Sequence, residues 1–142
     1  MKVSEIMARD VVSVGRDEPV SCAARLMERY NIGAVPVSGE DGRIVGVVTD
    51  RDIITRCVAL GERPAQTPVK RIMTKKAVTV NAGDDVRRAA QLMAARRVRR
   101  LPVVEDDRVV GMVSLGDIAA LGRFDMEASL ALSENSSNIR RL

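Results

Sequence analysis

Histidine and tryptophan are absent from the 142 residues, and Tyr30 and Phe124 are the only large aromatic side chains. Without histidine, a Ser-His-Asp triad and a histidine-based metal site are both excluded. Neither GxxxxGKS/T nor GxGxxG occurs in the chain, so the phosphate loops built on those motifs are absent. Enzymatic catalysis is therefore the reading with least support: no catalytic residue, catalytic cofactor or metal site is expected. No apolar run approaches the roughly 20 residues that a membrane-spanning helix requires. The opening MKVSEIMARDVV lacks the apolar stretch of a secretion signal. The expectation is a soluble, cytoplasmic protein without membrane association. Cys22 and Cys57 are the only cysteines and have no CxxC spacing, so two reduced, packed thiols are expected.

What the chain does contain is aliphatic. Its apolar residues are mostly Val, Ala, Leu, Ile and Met, and the seven methionines read as core filler rather than a metal-binding set. Charge is uneven. Residues 1–66 carry 9 Lys and Arg against 10 Asp and Glu, whereas residues 67–142 carry 14 against 9. Much of the excess lies in Arg87-Arg88 and in RRVRR at 96–100. Such asymmetry points to an anionic partner. Nucleic acid is disfavoured, because single-strand readers stack bases on aromatic rings and no helix-turn-helix signature is present.

The chain is written twice. IMARDVVSVGRDEPVSCAARLMERYNIGAVPVS at 6–38 aligns without a gap on IMTKKAVTVNAGDDVRRAAQLMAARRVRRLPVV at 72–104. One residue is then lost in a turn, and RIVGVVTDRDI falls on RVVGMVSLGDI. The matches are apolar or turn residues, the pattern of a conserved core within a repeat. Residues 1–66 hold the first copy with the start of a linker, residues 67–123 the second, and residues 124–142 a polar tail. A short helix over Met126–Leu132 followed by disorder is expected in that tail.

Each copy reads as β-α-β-β-α. VVSV (11–14) and VTV (78–80) are short β-branched strands. Val20, Ala23, Ala24 and Met27, and likewise Val86, Ala89, Ala90 and Met93, recur at helical spacing. Asp17 or Glu18 before Pro19, and Asp84 in the second copy, are candidate helix starts. Paired strands joined by the turns GEDG and EDD follow, with Pro36 and Pro102 arguing for edge positions. The fold class is α+β: two such repeats packed through their sheets with pseudo-two-fold symmetry, sharing one core.

The octets GVVTDRDI (46–53) and GMVSLGDI (111–118) carry the chemistry. Thr49-x-x-Asp52 and Ser114-x-x-Asp117 fit capping boxes at helix starts. The same aspartates suit a ribose diol, whose hydroxyls donate to a carboxylate. Gly46 and Gly111 permit the close approach of another backbone or of a ligand. Arg99 and Arg100 stand where the first copy has Gly33 and Ala34, an exchange with no evident packing reason. Arginine makes forked contacts with phosphate oxygens. Arg87, Arg88, Arg96 and Arg97 read instead as a solvated basic face.

The repeated IMxxxxVxV, the xPV strand and GxVT/SxxDI together resemble a pair of cystathionine-β-synthase (CBS) domains, a Bateman module, over about residues 4–122. VRRLPVV and GMVSLGDI are similar to segments of a family member, the γ subunit of AMP-activated kinase. The overall size resembles small stand-alone bacterial proteins of two CBS domains. The resemblance implies a non-catalytic sensor that holds adenosine-containing ligands between its copies, with AMP, ADP or ATP ahead of S-adenosylmethionine and NAD. Carried over, one cleft uses Asp117 and Ser114 at the ribose and Arg99 and Arg100 at phosphate. Val12, Ser13, Ile32, Gly33, Ala34 and Met112 would surround the base. The second cleft uses Asp52, Thr49, Val47, Val78, Thr79 and Val98. The resemblance also implies a homodimer and an unidentified regulated protein. The competing reading is a dimerising interaction scaffold with empty clefts.

Overall fold

The computed structural model describes residues 1–122, so the tail and its expected helix lie outside the described residues. The elements run β1 (Val14–Gly15), α1 (Val20–Tyr30), β2 (Ala34–Ser38), β3 (Ile44–Thr49) and α2 (Asp50–Ile53), the last continued by a π-helical turn, Ile54–Val58. The second copy repeats them as β4 (Val80–Asn81), α3 (Val86–Arg96), β5 (Arg100–Glu105), β6 (Arg108–Ser114) and α4 (Leu115–Ala119). Two three-stranded sheets result, ordered β1-β2-β3 and β4-β5-β6. In each the first pair is parallel and the second antiparallel. The α+β class and the β-α-β-β-α order therefore stand.

The compact units do not follow the repeat boundary at 66/67. One unit joins Met1–Val11 to the chain from Val78 onward, and the other is Val12–Ala77. The reason is visible in each core. Val3 and Met7 are buried with Val86, Met93, Leu101 and Ile118. Val69 and Ile72 are buried with Val20, Val35, Val48 and Cys57. Backbone bonds fix the same exchange. Val3 donates to Asp84 at 2.8 Å, and Ala8 and Met112 bond reciprocally at 2.8 and 2.9 Å. In the other unit Val69 donates to Glu18 at 2.8 Å, and Val47 and Thr74 bond reciprocally at 3.0 and 2.8 Å. The segment that leads each repeat thus completes the core of the other repeat. The Lys70 ammonium, 2.9 Å from Asp17, adds an exposed tie and holds that carboxyl below its usual range.

Several local expectations change. The first strands shrink to two residues each, because only Val14–Gly15 and Val80–Asn81 find partners in β2 and β5. The cap of α3 is Asp85 rather than Asp84: its side chain accepts from the N–H of Arg87 at 2.9 Å, which lowers its pKa. Asp84 instead accepts from Asn81 N–H at 3.0 Å. At α1 the capping position is Pro19, which makes no side-chain cap, so neither Asp17 nor Glu18 starts the helix. Pro36 and Pro102 lie in the central strands, not at edges. They are tolerated because each faces a residue whose own N–H points away: Val47 bonds Thr74 and Met112 bonds Ala8. On the opposite flank, β1 and β4 pair only beyond the proline. No ladder hydrogen bond is lost.

The β5–β6 turn has positive φ at both central residues, 51° at Asp106 and 61° at Asp107. That is the type I′ hairpin geometry, which glycine adopts without a Cβ penalty. Asp107→Gly is expected to raise stability by about 1 kcal/mol. Thermal denaturation checks it; a lower melting temperature would show that the aspartate carries more than the turn.

Candidate ligand-binding site

Both octets fold as capped strand-to-helix junctions. Ser114 Oγ accepts the N–H of Asp117 at 3.1 Å, and Asp117 Oδ2 accepts the N–H of Ser114 at 3.0 Å. Thr49 Oγ1 and Asp52 Oδ2 make the same reciprocal pair, both at 3.0 Å. The spacing thus serves the helix start in each copy. The two junctions differ in what else their carboxylates meet.

Asp52 is only 7% exposed. Its Oδ2 also accepts from Thr74 Oγ1 at 3.3 Å, and its Oδ1 lies 3.9 Å from Arg56 Nε. The Arg56 guanidinium in turn donates from Nη1 to the carbonyl of Ile72 at 3.1 Å. Asp117 is half-buried, and among the described residues its Oδ1 has no partner. The position matching Thr74 across the outer edge of β6 is Ala8, since Ala8 bridges Met112 as Thr74 bridges Val47. The position matching Arg56 is Leu121. Both groups that engage Asp52 are therefore missing around Asp117.

Arg99 and Arg100 are brought to this junction. Arg100 is in register with Ser114, and the carbonyl of Arg99 accepts the N–H of Leu115 at 2.8 Å. Both side chains are exposed, and neither forms an ion pair among the described residues. In the first copy Ala34 is in register with Thr49, and the Gly33 carbonyl accepts the N–H of Asp50 at 3.0 Å. Gly33 has a close neighbour in the exposed Asp50. A Cβ there would stand 3.2 Å from Asp50 Oδ2, and the second copy has Leu115 in place of Asp50.

Asp117, Ser114, Met112, Arg99 and Arg100 belong to one compact unit, together with Val78, Thr79 and Val98. Val12, Ser13, Ile32, Gly33 and Ala34 belong to the other, with Asp52, Thr49 and Val47. Gly46 and Gly111 make room for backbone rather than for a ligand. A Cβ on Gly46 would lie 2.7 Å from the Thr74 carbonyl oxygen, and one on Gly111 would lie 2.9 Å from that of Ala8. Arg87, Arg88, Arg96 and Arg97 are exposed on α3 and its C-terminal cap. Sequence reasoning missed Thr74 and Arg56. Their signal was present: Arg56 follows Asp52 by one helical turn, and IMT in one copy is IMA in the other. Among the described residues Cys22 and Cys57 are free thiols, no helix is long and apolar enough to cross a membrane, and no metal-binding cluster of acidic or cysteine side chains forms.

The CBS domain family matches this sequence twice, over residues 3–59 and 69–122. The chain belongs to the CBS domain family. A CBS domain-containing protein of Bacillus subtilis, YhcV, is 40% identical over 134 residues, 94% of this CBS pair and 94% of its own length. The crystal structure of Hypoxic Response Protein I, with two coordinated zinc ions, matches with a TM-score of 0.78 at 33% identity, covering 84% of this chain and 98% of that one. The CBS domain pair of the protein MJ0100, solved with 5′-methylthioadenosine and S-adenosyl-L-methionine, matches with a TM-score of 0.74 at 28% identity, covering 86% and 95%. The chain is thus a tandem CBS pair of the regulatory-module type, similar to proteins that consist largely of such a pair.

Proposed function

We propose that this CBS pair is a non-catalytic regulatory module that binds an adenosine-containing ligand at its second repeat. The observation that carries the reading is the Asp117 carboxylate, whose Oδ1 has no partner among the described residues, at a junction bordered by the backbone of Arg99 and Arg100. A ribose hydroxyl donates to that oxygen, Ser114 lies alongside, and Arg99 and Arg100 face the phosphate of AMP, ADP or ATP. The adenosine-based ligands of the MJ0100 pair support an adenosine moiety in this fold.

A ligand that binds only the native state raises the melting temperature. AMP is expected to do so here, and Asp117→Asn to weaken AMP about tenfold to a hundredfold, the worth of one hydrogen bond to a charged acceptor. Arg100→Ala is expected to weaken AMP but not adenosine. Equal losses for the two ligands would remove Arg100 from the phosphate.

Self-association is a second property, favoured by the apolar side chains around the π-helical turn. Ile54, Val58 and Leu60 are 60%, 55% and 69% exposed. We expect a homodimer in light scattering, reduced to monomer by Ile54→Glu with Val58→Glu; an unchanged mass would place the contact elsewhere.

A further inference from the structure

The two octets of this chain are close copies, yet their carboxylates are in different states. Asp52 is buried and meets three groups of its own unit besides the solvent-facing helix end: the Thr49 N–H, the Thr74 hydroxyl and the Arg56 guanidinium. Arg56 also reaches the carbonyls of Ile72 and Met73, at 3.1 and 3.4 Å, so one side chain ties the carboxylate to the segment that crosses the outer edge of β3. Thr74 is held there by its paired bonds to Val47. Among the described residues Asp117 has the cap bond alone, with Ala8 and Leu121 at the positions of Thr74 and Arg56.

We infer that Thr74 and Arg56 form an internal latch that occupies the first-repeat carboxylate, so that this chain binds one adenosine-type ligand and not two. The hydroxyl of Thr74 presents to Asp52 the same donor that a ribose would present. A ligand at Asp52 must first displace that hydroxyl and a guanidinium whose other bonds hold the crossing segment. Displacement strands a buried acceptor unless the ligand replaces every bond lost. At Asp117 no group among the described residues needs displacing from Oδ1. The latch rests on the proposed function only for the ligand class used as the probe.

The test counts sites. Equilibrium dialysis with radiolabelled AMP, repeated with 5′-methylthioadenosine, is run on the whole chain and on the double variant Thr74→Ala with Arg56→Leu, which gives the first repeat the residues of the second. One site per chain is expected for the native protein and two for the double variant, the new site being lost again on adding Asp52→Asn. Both altered side chains are at least half exposed or lie on the exposed outer edge, and a milder pair, Thr74→Val with Arg56→Gln, serves if the first loses its fold. Two sites in the native chain, one of them removed by Asp52→Asn, would overturn the latch. If the native chain binds neither probe, the Asp117 reading fails by itself. The latch then still stands or falls on whether the double variant gains a site.

Discussion

Removing residues 1–10 is expected to unfold the second repeat and to leave the first nearly intact. The deleted segment belongs by sequence to the first copy, but its buried side chains do not. Val3 is fully buried and Met7 is 9% exposed, both in the cluster of Val86, Met93, Leu101 and Ile118. Their burial contributes about 4 kcal/mol by apolar area alone. The deletion also strands the carbonyls of Asp84 and Ala82, which accept from Val3 and Ser4 at 2.8 and 3.0 Å, and opens the Ala8–Met112 pair. Against a typical domain stability of about 5–15 kcal/mol that loss decides whether the unit folds. Hydrogen exchange by mass spectrometry reads the outcome directly. Protection should vanish across α3, β5 and β6 and persist across α1, β2 and β3. Loss confined to α1, β2 and β3 would mean that the segment supports its own repeat. Val3→Ala gives a graded version, with the same elements weakened by about 2 kcal/mol.

This exchange marks the limit of what the sequence disclosed. The repeat, the helical stripes and the two capping boxes depend on residues within a few positions of one another, and each is found where the pattern puts it. Ile6-Met7 and Ile72-Met73 are a different case. They are locally identical, so nothing near them says which of two similar cores they enter. The linker and the long-range pairs Ala8–Met112 and Val47–Thr74 decide it. Strand length failed for a related reason. VVSV and VTV have the right residues, but a strand exists only where a neighbour offers a ladder, and β2 and β5 offer two positions each. Proline placement failed because strand rank and hydrogen-bond phase are separate matters. A central strand can hold a proline where its facing residue bonds the other way. The aspartates and arginines stand at the strand-to-helix junctions where the octets put them, whereas the partners of Asp52 come from segments 4 and 22 residues away, and only one of those distances is a helical one.

Gly46→Ala is expected to lower stability by about 2–3 kcal/mol, through overpacking against backbone that cannot yield. The new Cβ would stand 2.7 Å from the Thr74 carbonyl oxygen and 2.9 Å from Met73 Sδ. A methionine tip can swing aside, but the carbonyl is one half of the Val47–Thr74 pair, bonded at 3.0 and 2.8 Å. Relief therefore means giving up that pair. Gly111→Ala is the matched member of the comparison and is expected to cost about as much. Its closest contacts are Met7 Sδ at 2.5 Å and Met7 Cγ at 2.8 Å, with the Ala8 carbonyl at 2.9 Å. Gly83→Ala is the control, since nothing lies within 4 Å of its Cβ and its φ is not positive. Thermal melts should place Gly46→Ala and Gly111→Ala both below the parent, by roughly 8 °C, with Gly83→Ala unchanged. If Gly46→Ala and Gly83→Ala melt together, the crossing segment is not pinned where β3 places it. The same variant also reaches the latch. Thr74 carries both the carbonyl that the alanine displaces and the hydroxyl that engages Asp52, so pushing the segment outward loosens the first-repeat carboxylate. A gain of ligand sites accompanying a loss of stability is therefore the expected signature, and Gly111→Ala, with Ala8 in that place, has no hydroxyl to release.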